Sequence, residues 1–202
     1  MANLITLIRL VTVFIIVAIA LYAAPVWQLL NVPLIIIIIS LDGLDGIIAR
    51  LRNEVSVFGA VFDIAVDRIT ESVLWITLAE LGMVSIWVAI VLLTRGILVD
   101  CLRKPHTHQG KAPFSIMQTA VGKFLVASRT MRFASGLFKL LTFSWLFFLM
   151  PAFNLWPQMI IDNYNLLNFF SNILVSITVA ICLLRGIPVV LETIYCHKSR
   201  NS

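Results

Sequence analysis

The chain has 202 residues, of which 60% are hydrophobic and only 12% charged, and its mean hydropathy is +1.01. A soluble domain of this length cannot bury so much apolar surface, disorder needs the opposite composition, and nine Gly and seven Pro cannot supply a collagen-like or mucin-like period. An integral membrane protein remains, and the net charge of +5 is assigned to topology and lipid headgroups rather than to nucleic acid.

A bilayer crossing needs about twenty apolar residues, and six stretches qualify, at 3–23, 27–50, 59–81, 83–103, 118–150 and 167–191. The first ends in small residues from Ala20 to Ala24 that resemble a cleavage site. However, no basic residue precedes the run and Arg9 lies inside it, the reverse of a secretory signal, so a retained helix is expected. The second and fourth stretches lead into polar segments holding Arg50, Arg52, Arg103, Lys104 and Lys111. The other turns, near Pro25, near Gly82 and over 151–168, hold one charge, Asp162. By the positive-inside rule the basic loops, the tail with His197, Lys198 and Arg200, and hence both termini are expected on the cytoplasmic side.

The apolar runs are continuous rather than alternating, which favours helices over a β-barrel. The expected fold is therefore all-α: one integral membrane domain over 1–202, built as a bundle of six transmembrane helices. Pro25, Pro33, Pro151 and Pro157 are expected at or near span ends, where a missing N–H is tolerated. In the fifth span Lys123, Arg129 and Arg132 fill the first half, so its cytoplasmic part is expected to line a wet cavity. Cys101, Cys182 and Cys196 are spaced like neither a disulfide framework nor a zinc site and are read as small packing residues. His106 and His108 are read as members of a solvated loop, and no internal repeat is visible.

The informative segment runs from Leu41 to Arg68. Asp42 and Asp45 lie three apart near the end of the second span, and Asp63 and Asp67 lie four apart near the start of the third. At about 100° per residue each pair falls within roughly 40–60° on one helix face. The chain reverses between them, so four carboxylates can converge. Unpaired inside a membrane they would cost on the order of 10 kcal/mol. Protonation of some members, or a bound multivalent cation, relieves the repulsion. With oxygen ligands and no nearby His or Cys, such a cation would be hard, meaning Mg²⁺, Mn²⁺ or Ca²⁺. The alternative is a set of solvated helix-end acids paired with Arg50, Arg52 and Arg68, against which the flanking Ile47, Ile48, Phe62, Ile64 and Val66 argue. Gly43, Gly46, Ala49, Gly59, Ala60 and Ala65 leave room beside the carboxylates for close helix approach or a ligand.

These residues fill the pattern Asp-x2-Asp-Gly-x2-Ala-Arg-x8-Gly-x3-Asp-x3-Asp with Asp42, Asp45, Gly46, Ala49, Arg50, Gly59, Asp63 and Asp67. The pattern resembles the signature of the CDP-alcohol phosphotransferase (phosphatidyltransferase) family. The opening Asn3, Leu4, Ile5, Thr6 and Arg9 are similar to that family's first-helix Asn-x-x-Thr-x-x-Arg element, and the resemblance covers about the first 135 residues. It implies a site with two divalent ions, Mg²⁺ or Mn²⁺, on Asp42, Asp45, Asp63 and Asp67, with Asp67 also the catalytic base. It further implies that Asn3, Leu4, Ile5, Thr6, Gly46, Arg50 and Ser56 bind the CDP-linked lipid, CDP-diacylglycerol, and that the protein is a homodimer.

Arg95, Arg103, Lys123, Arg129 and Arg132 form a basic set suited to a phosphate on the acceptor. Arg95, Arg103 and Gly122-Lys123 are similar to the phosphatidylglycerophosphate synthases, which makes glycerol 3-phosphate the first expectation. That subgroup usually has an acidic residue where Gly96 stands and often a second lysine at Leu125. Asp67-Arg68 and Ser128-Arg129 are also similar to inositol-using members, so inositol or inositol phosphate is the alternative acceptor. Snorkelling to lipid headgroups is the alternative for the basic set itself. From other classes, a cation carrier would want acids spread through the membrane depth, and an inactive scaffold would not need all eight signature positions.

Overall fold

The computed structural model describes the backbone of residues 2–51, 57–107 and 128–200 and, within these, the side chains outside 2–3, 42–51, 57–58, 60, 103–107, 129 and 192–200. The regular elements among the described residues are all helices: α1 (Ala2–Tyr22), α2 (Pro25–Gln28), α3 (Asn31–Leu51), α4 (Val57–Glu80), α5 (Ile86–Thr107), α6 (Arg129–Leu155), α7 (Pro157–Asp162) and α8 (Tyr164–Arg200). Among the described residues three stretches are long and apolar enough to cross a membrane, Leu4–Tyr22, Thr130–Leu155 and Tyr164–Leu191, and Pro25–Leu41 is a shorter apolar stretch. The other long helices carry more charge. Helix α4 carries Asp63, Asp67, Arg68, Glu71 and Glu80, and α5 carries Arg95, Asp100, Arg103 and Lys104.

The chain divides into two compact units, Met1–Ala89 with Leu140–Val175, and Ile90–Lys139 with Ser176–Ser202. In the first unit α1 packs on both α3 and α4. Its buried stripe is Thr6, Arg9, Val13, Ile16 and Ala20, a spacing of alternating three and four residues. Its exposed residues are the larger apolar ones, Leu4, Leu7, Ile8, Val11, Phe14 and Ile15. Helices α3 and α4 repeat the pattern, burying Asn31, Ile35 and Ile38 or Thr70, Leu74 and Leu78 while exposing Ile36, Ile37, Ile64, Ile69 and Ile76. In each helix a stripe that includes polar residues packs inward while large aliphatic side chains face outward, as in helices that pack on each other in lipid. In water such a surface would aggregate.

The turns explain how the helices reverse. Gln28 is buried and its Nε2 donates to the Ala20 and Ala23 carbonyls, both at 3.1 Å, which satisfies orphan acceptors at the end of α1. That cap splits the expected second span, so α3 begins at Asn31, with Pro33 in its first turn where no N–H is needed. Helix α4 stops at Gly82, whose φ of 70° is left-handed. The Met83 N–H reaches the Leu78 carbonyl at 2.9 Å and the Gly82 N–H reaches Ala79 at 3.0 Å, a Schellman ending. Met83 then packs on Leu149, Ala152 and Ile160. The turn after α4 and the turn after α6 therefore share one end of the unit. Exposed Trp87, Trp156 and Tyr164 lie there, as expected where amphipathic rings meet a membrane surface.

Two helix boundaries differ from the sequence expectation. Helix α6 runs through Pro151, which is tolerated because only one further turn follows. Helix α8 continues through Pro188 to Arg200 because no Gly or second Pro interrupts the polar tail after Leu191, where the apolar run stops. Of the cysteines, Cys182 is buried as expected but Cys101 is exposed, so only the former packs inside. Trp75 stacks on Phe143 at 4.9 Å between ring centres, joining α4 to α6. Trp145 meets Phe170 edge-on at 5.0 Å and donates to the Ser171 hydroxyl at 2.9 Å, joining α6 to α8.

Candidate active site

Four carboxylates define the site in sequence, and the helix registers place them at matching positions. Asp45 lies six residues before the end of α3, and Asp63 lies six residues after the start of α4, about 9 Å along each helix. Both helices pack on α1. The side chains of Asp42 and Asp45 lie outside the described residues, as do those of Asn3, Gly46, Arg50, Arg103 and Arg129 and the whole of Ser56 and Lys123.

Asp63 and Asp67 follow each other by one turn on α4 and are both half-buried. The Arg9 guanidinium donates to the Asp63 Oδ1 at 3.1 Å. Arg9 is 1% exposed and Asp63 40% exposed, so one partner is sealed between helices while the other keeps access to a ligand. This ion pair brings the first-helix element to the carboxylates. Thr6 lies three residues from Arg9 and is buried, Ile5 is half-buried and Leu4 is exposed. Arg68 forms an ion pair with Glu71 at 3.3 Å, one turn along its own helix. Of the expected flanking residues, Val66 is buried, Phe62 is half-buried and Ile64 is exposed, so burial of the acids is one-sided.

Among the described residues no three His, Cys, Asp or Glu side chains gather in one place. The donors that are described, two half-buried aspartates one turn apart, are all-oxygen, a chemistry that suits a hard divalent ion. An apolar groove lined by Phe153, Pro157, Ile160, Ile161, Tyr164 and Asn165 lies at the turn end of the same unit and carries no acid or base.

The expected acceptor residues belong to the second unit where they are described. Arg95 on α5 is half-buried and lies along Gly186 of α8. Beside that glycine, Arg185 donates to the Ser135 hydroxyl, which donates in turn to the Arg132 carbonyl at 2.9 Å. Sequence reasoning placed Arg9 in the first-helix element without naming its partner, and it gave Arg185 no role. Each had a visible signal, a charge inside an apolar span, where arginine is costly and seldom incidental.

An 83-residue stretch is 36% identical to the archaetidylinositol phosphate synthase of Aeropyrum pernix and covers 41% of this chain and 41% of that protein. The CDP-alcohol phosphatidyltransferase family model matches residues 1–184, a range that takes in the first unit, the second as far as residue 184, the Arg9–Asp63 ion pair and all four aspartates. With that extent matched, the chain belongs to the CDP-alcohol phosphatidyltransferase family.

Proposed function

We propose that the protein is a membrane phospholipid synthase that transfers a phosphatidyl group from CDP-diacylglycerol to a hydroxyl of a phosphorylated polyol, releasing CMP. The acceptor oxygen bonds to the phosphatidyl phosphorus, the bond from that phosphorus to the CMP oxygen breaks, and Asp67 takes the hydroxyl proton. Asp42, Asp45, Asp63 and Asp67 would hold divalent ions, Mg²⁺ or Mn²⁺. Bound there, the ions would neutralise the pyrophosphate and stabilise the departing phosphate. Arg9 fixes Asp63 from α1, which orients one ligand without closing it off from the site. Asn3, Leu4, Ile5, Thr6, Gly46, Arg50 and Ser56 grip the CDP moiety in this reading, and Arg95, Arg103, Lys123 and Arg129 bind the acceptor.

The observation that carries this reading is the pair Asp63 and Asp67 on one face of α4, anchored by Arg9, within the segment that the family model matches. A phosphate on the acceptor is supported by the guanidinium-rich second unit, where Arg95 and Arg185 meet the same turn of α8. Between acceptors, the arginine spacing supports glycerol 3-phosphate, and the name of the Aeropyrum relative supports inositol phosphate. The six-span bundle with its site on the cytoplasmic side, as one domain, belongs to the same proposal. The test is CMP release from CDP-diacylglycerol by the purified protein with glycerol 3-phosphate, inositol phosphate and free inositol in turn. Activity should vanish on exhaustive chelation and return with Mg²⁺ or Mn²⁺, and CMP release that survives chelation overturns the proposal.

A further inference from the structure

The geometry points to Gly186 as a positioning residue for the acceptor half of the reaction, because it forms the seat on which the Arg95 side chain lies. A Cβ at Gly186 would stand 2.6 Å from Arg95 Nε, 3.0 Å from Cγ and 3.3 Å from Cδ. Three consecutive parts of one side chain thus cover a single bare patch of the α8 backbone. The closest atoms lie in the middle of the arginine rather than at its flexible tip, so a methyl group could be admitted only by moving the whole side chain to another rotamer. Gly82 and Gly136, by contrast, meet nothing within 4 Å.

Glycine inside a helix is unfavourable relative to alanine. Gly186 is buried in the interior of α8 and does not share the left-handed backbone of Gly82, so no turn requires it there. What it supplies is space. The neighbouring Arg185 leaves the same turn of α8 toward Ser135, so the seat also sets how far the Arg95 guanidinium stands from a second one. Two planar forks held at a fixed separation suit a phosphate, and a displaced fork loses its bidentate geometry. The inference rests on the proposed role of Arg95 in binding the acceptor phosphate.

The experiment is a double-mutant cycle on the full chain in detergent, using Gly186→Ala, Arg95→Ala and the double variant. Michaelis constants are measured for CDP-diacylglycerol and for the better of glycerol 3-phosphate and inositol phosphate, together with the thermal midpoint. Gly186→Ala should raise the acceptor KM about tenfold, the loss of one charge-assisted contact, leave the CDP-diacylglycerol KM within about twofold, and lower the midpoint. In the Arg95→Ala background the same substitution should change the acceptor KM by less than about twofold and should no longer lower the midpoint, since the methyl group then has room. Effects that simply add in the two backgrounds overturn the proposal and leave Gly186 a helix-packing residue. If Arg95→Ala by itself leaves the acceptor KM unchanged, the acceptor role of Arg95 fails and the positioning role falls with it. A midpoint effect that still disappears in the Arg95→Ala background would then report packing alone.

Discussion

The two units handle charge differently. In the first, a sealed guanidinium meets a carboxylate from another helix, and Arg9 and Asp63 neutralise each other while tying α1 to α4. In the second, the described contacts are of another kind: Arg185 donates to a hydroxyl and Arg95 lies along a bare glycine. An ion pair resists truncation of either partner, because the survivor is left in a poor environment. In the proposed reading the first unit holds the cations and the second receives the phosphate.

The strongest way to break that contrast is at Asp67. Asp67→Asn should abolish turnover while CDP-diacylglycerol binding stays within a few fold, since the proposed base is lost and one proposed metal ligand is only softened. Loss of binding together with turnover, measured by titration with the lipid, would make Asp67 structural. Next in size, Arg103→Ala and Lys123→Ala should each raise the KM for a phosphorylated acceptor about ten- to hundred-fold and leave that for CDP-diacylglycerol nearly unchanged. Wild-type kinetics in both, with free inositol the better substrate, would reduce the basic set to snorkelling side chains.

Arg9→Ala sharpens the comparison from the other side. It should destabilise the protein by about 2 kcal/mol, less than for a fully sealed pair because Asp63 keeps contact with its surroundings. Denaturation midpoints of the detergent-solubilised protein check this, and an unchanged midpoint would mean that the pair does not hold α1 to α4. The smallest effect belongs to Gly82→Ala. Nothing crowds that position, so only the left-handed backbone is penalised, by about 1 kcal/mol. Both Michaelis constants should stay at their wild-type values in that variant, separating stability loss at the turn end from loss of chemistry.

Much of this was legible because helix periodicity is local. The four-residue step from Asp63 to Asp67 and the continuous apolar runs depend only on neighbours in the chain, and they place the helices and the acid face of α4. The Arg9 to Asp63 contact joins residues 54 apart and depends on which faces of α1 and α4 meet. No pattern within either helix specifies that choice. The same limit hid the seat of Arg95, because a lone glycine in an apolar run carries no mark of what lies across from it. The extent of α8 was missed for another reason: hydropathy ends where the polar tail begins, whereas a helix ends only where its backbone is interrupted.

The Arg9–Asp63 bond also orders the steps by which the protein is assembled. During synthesis Arg9 emerges 54 residues ahead of its counter-ion. Arg9 is the sixth residue of the span Leu4–Tyr22, so its guanidinium costs less than the roughly 2.5–3.5 kcal/mol of a charge at a helix centre. The thirteen Leu, Ile, Val and Phe residues of α1 return roughly 4–8 kcal/mol. Helix α1 can therefore enter the bilayer unaided, carrying an unfavourable charge, and the arrival of α4 turns that charge into a latch. A defect at Asp63 should then leave α1 inserted but undocked, a failure of helix assembly rather than of membrane insertion.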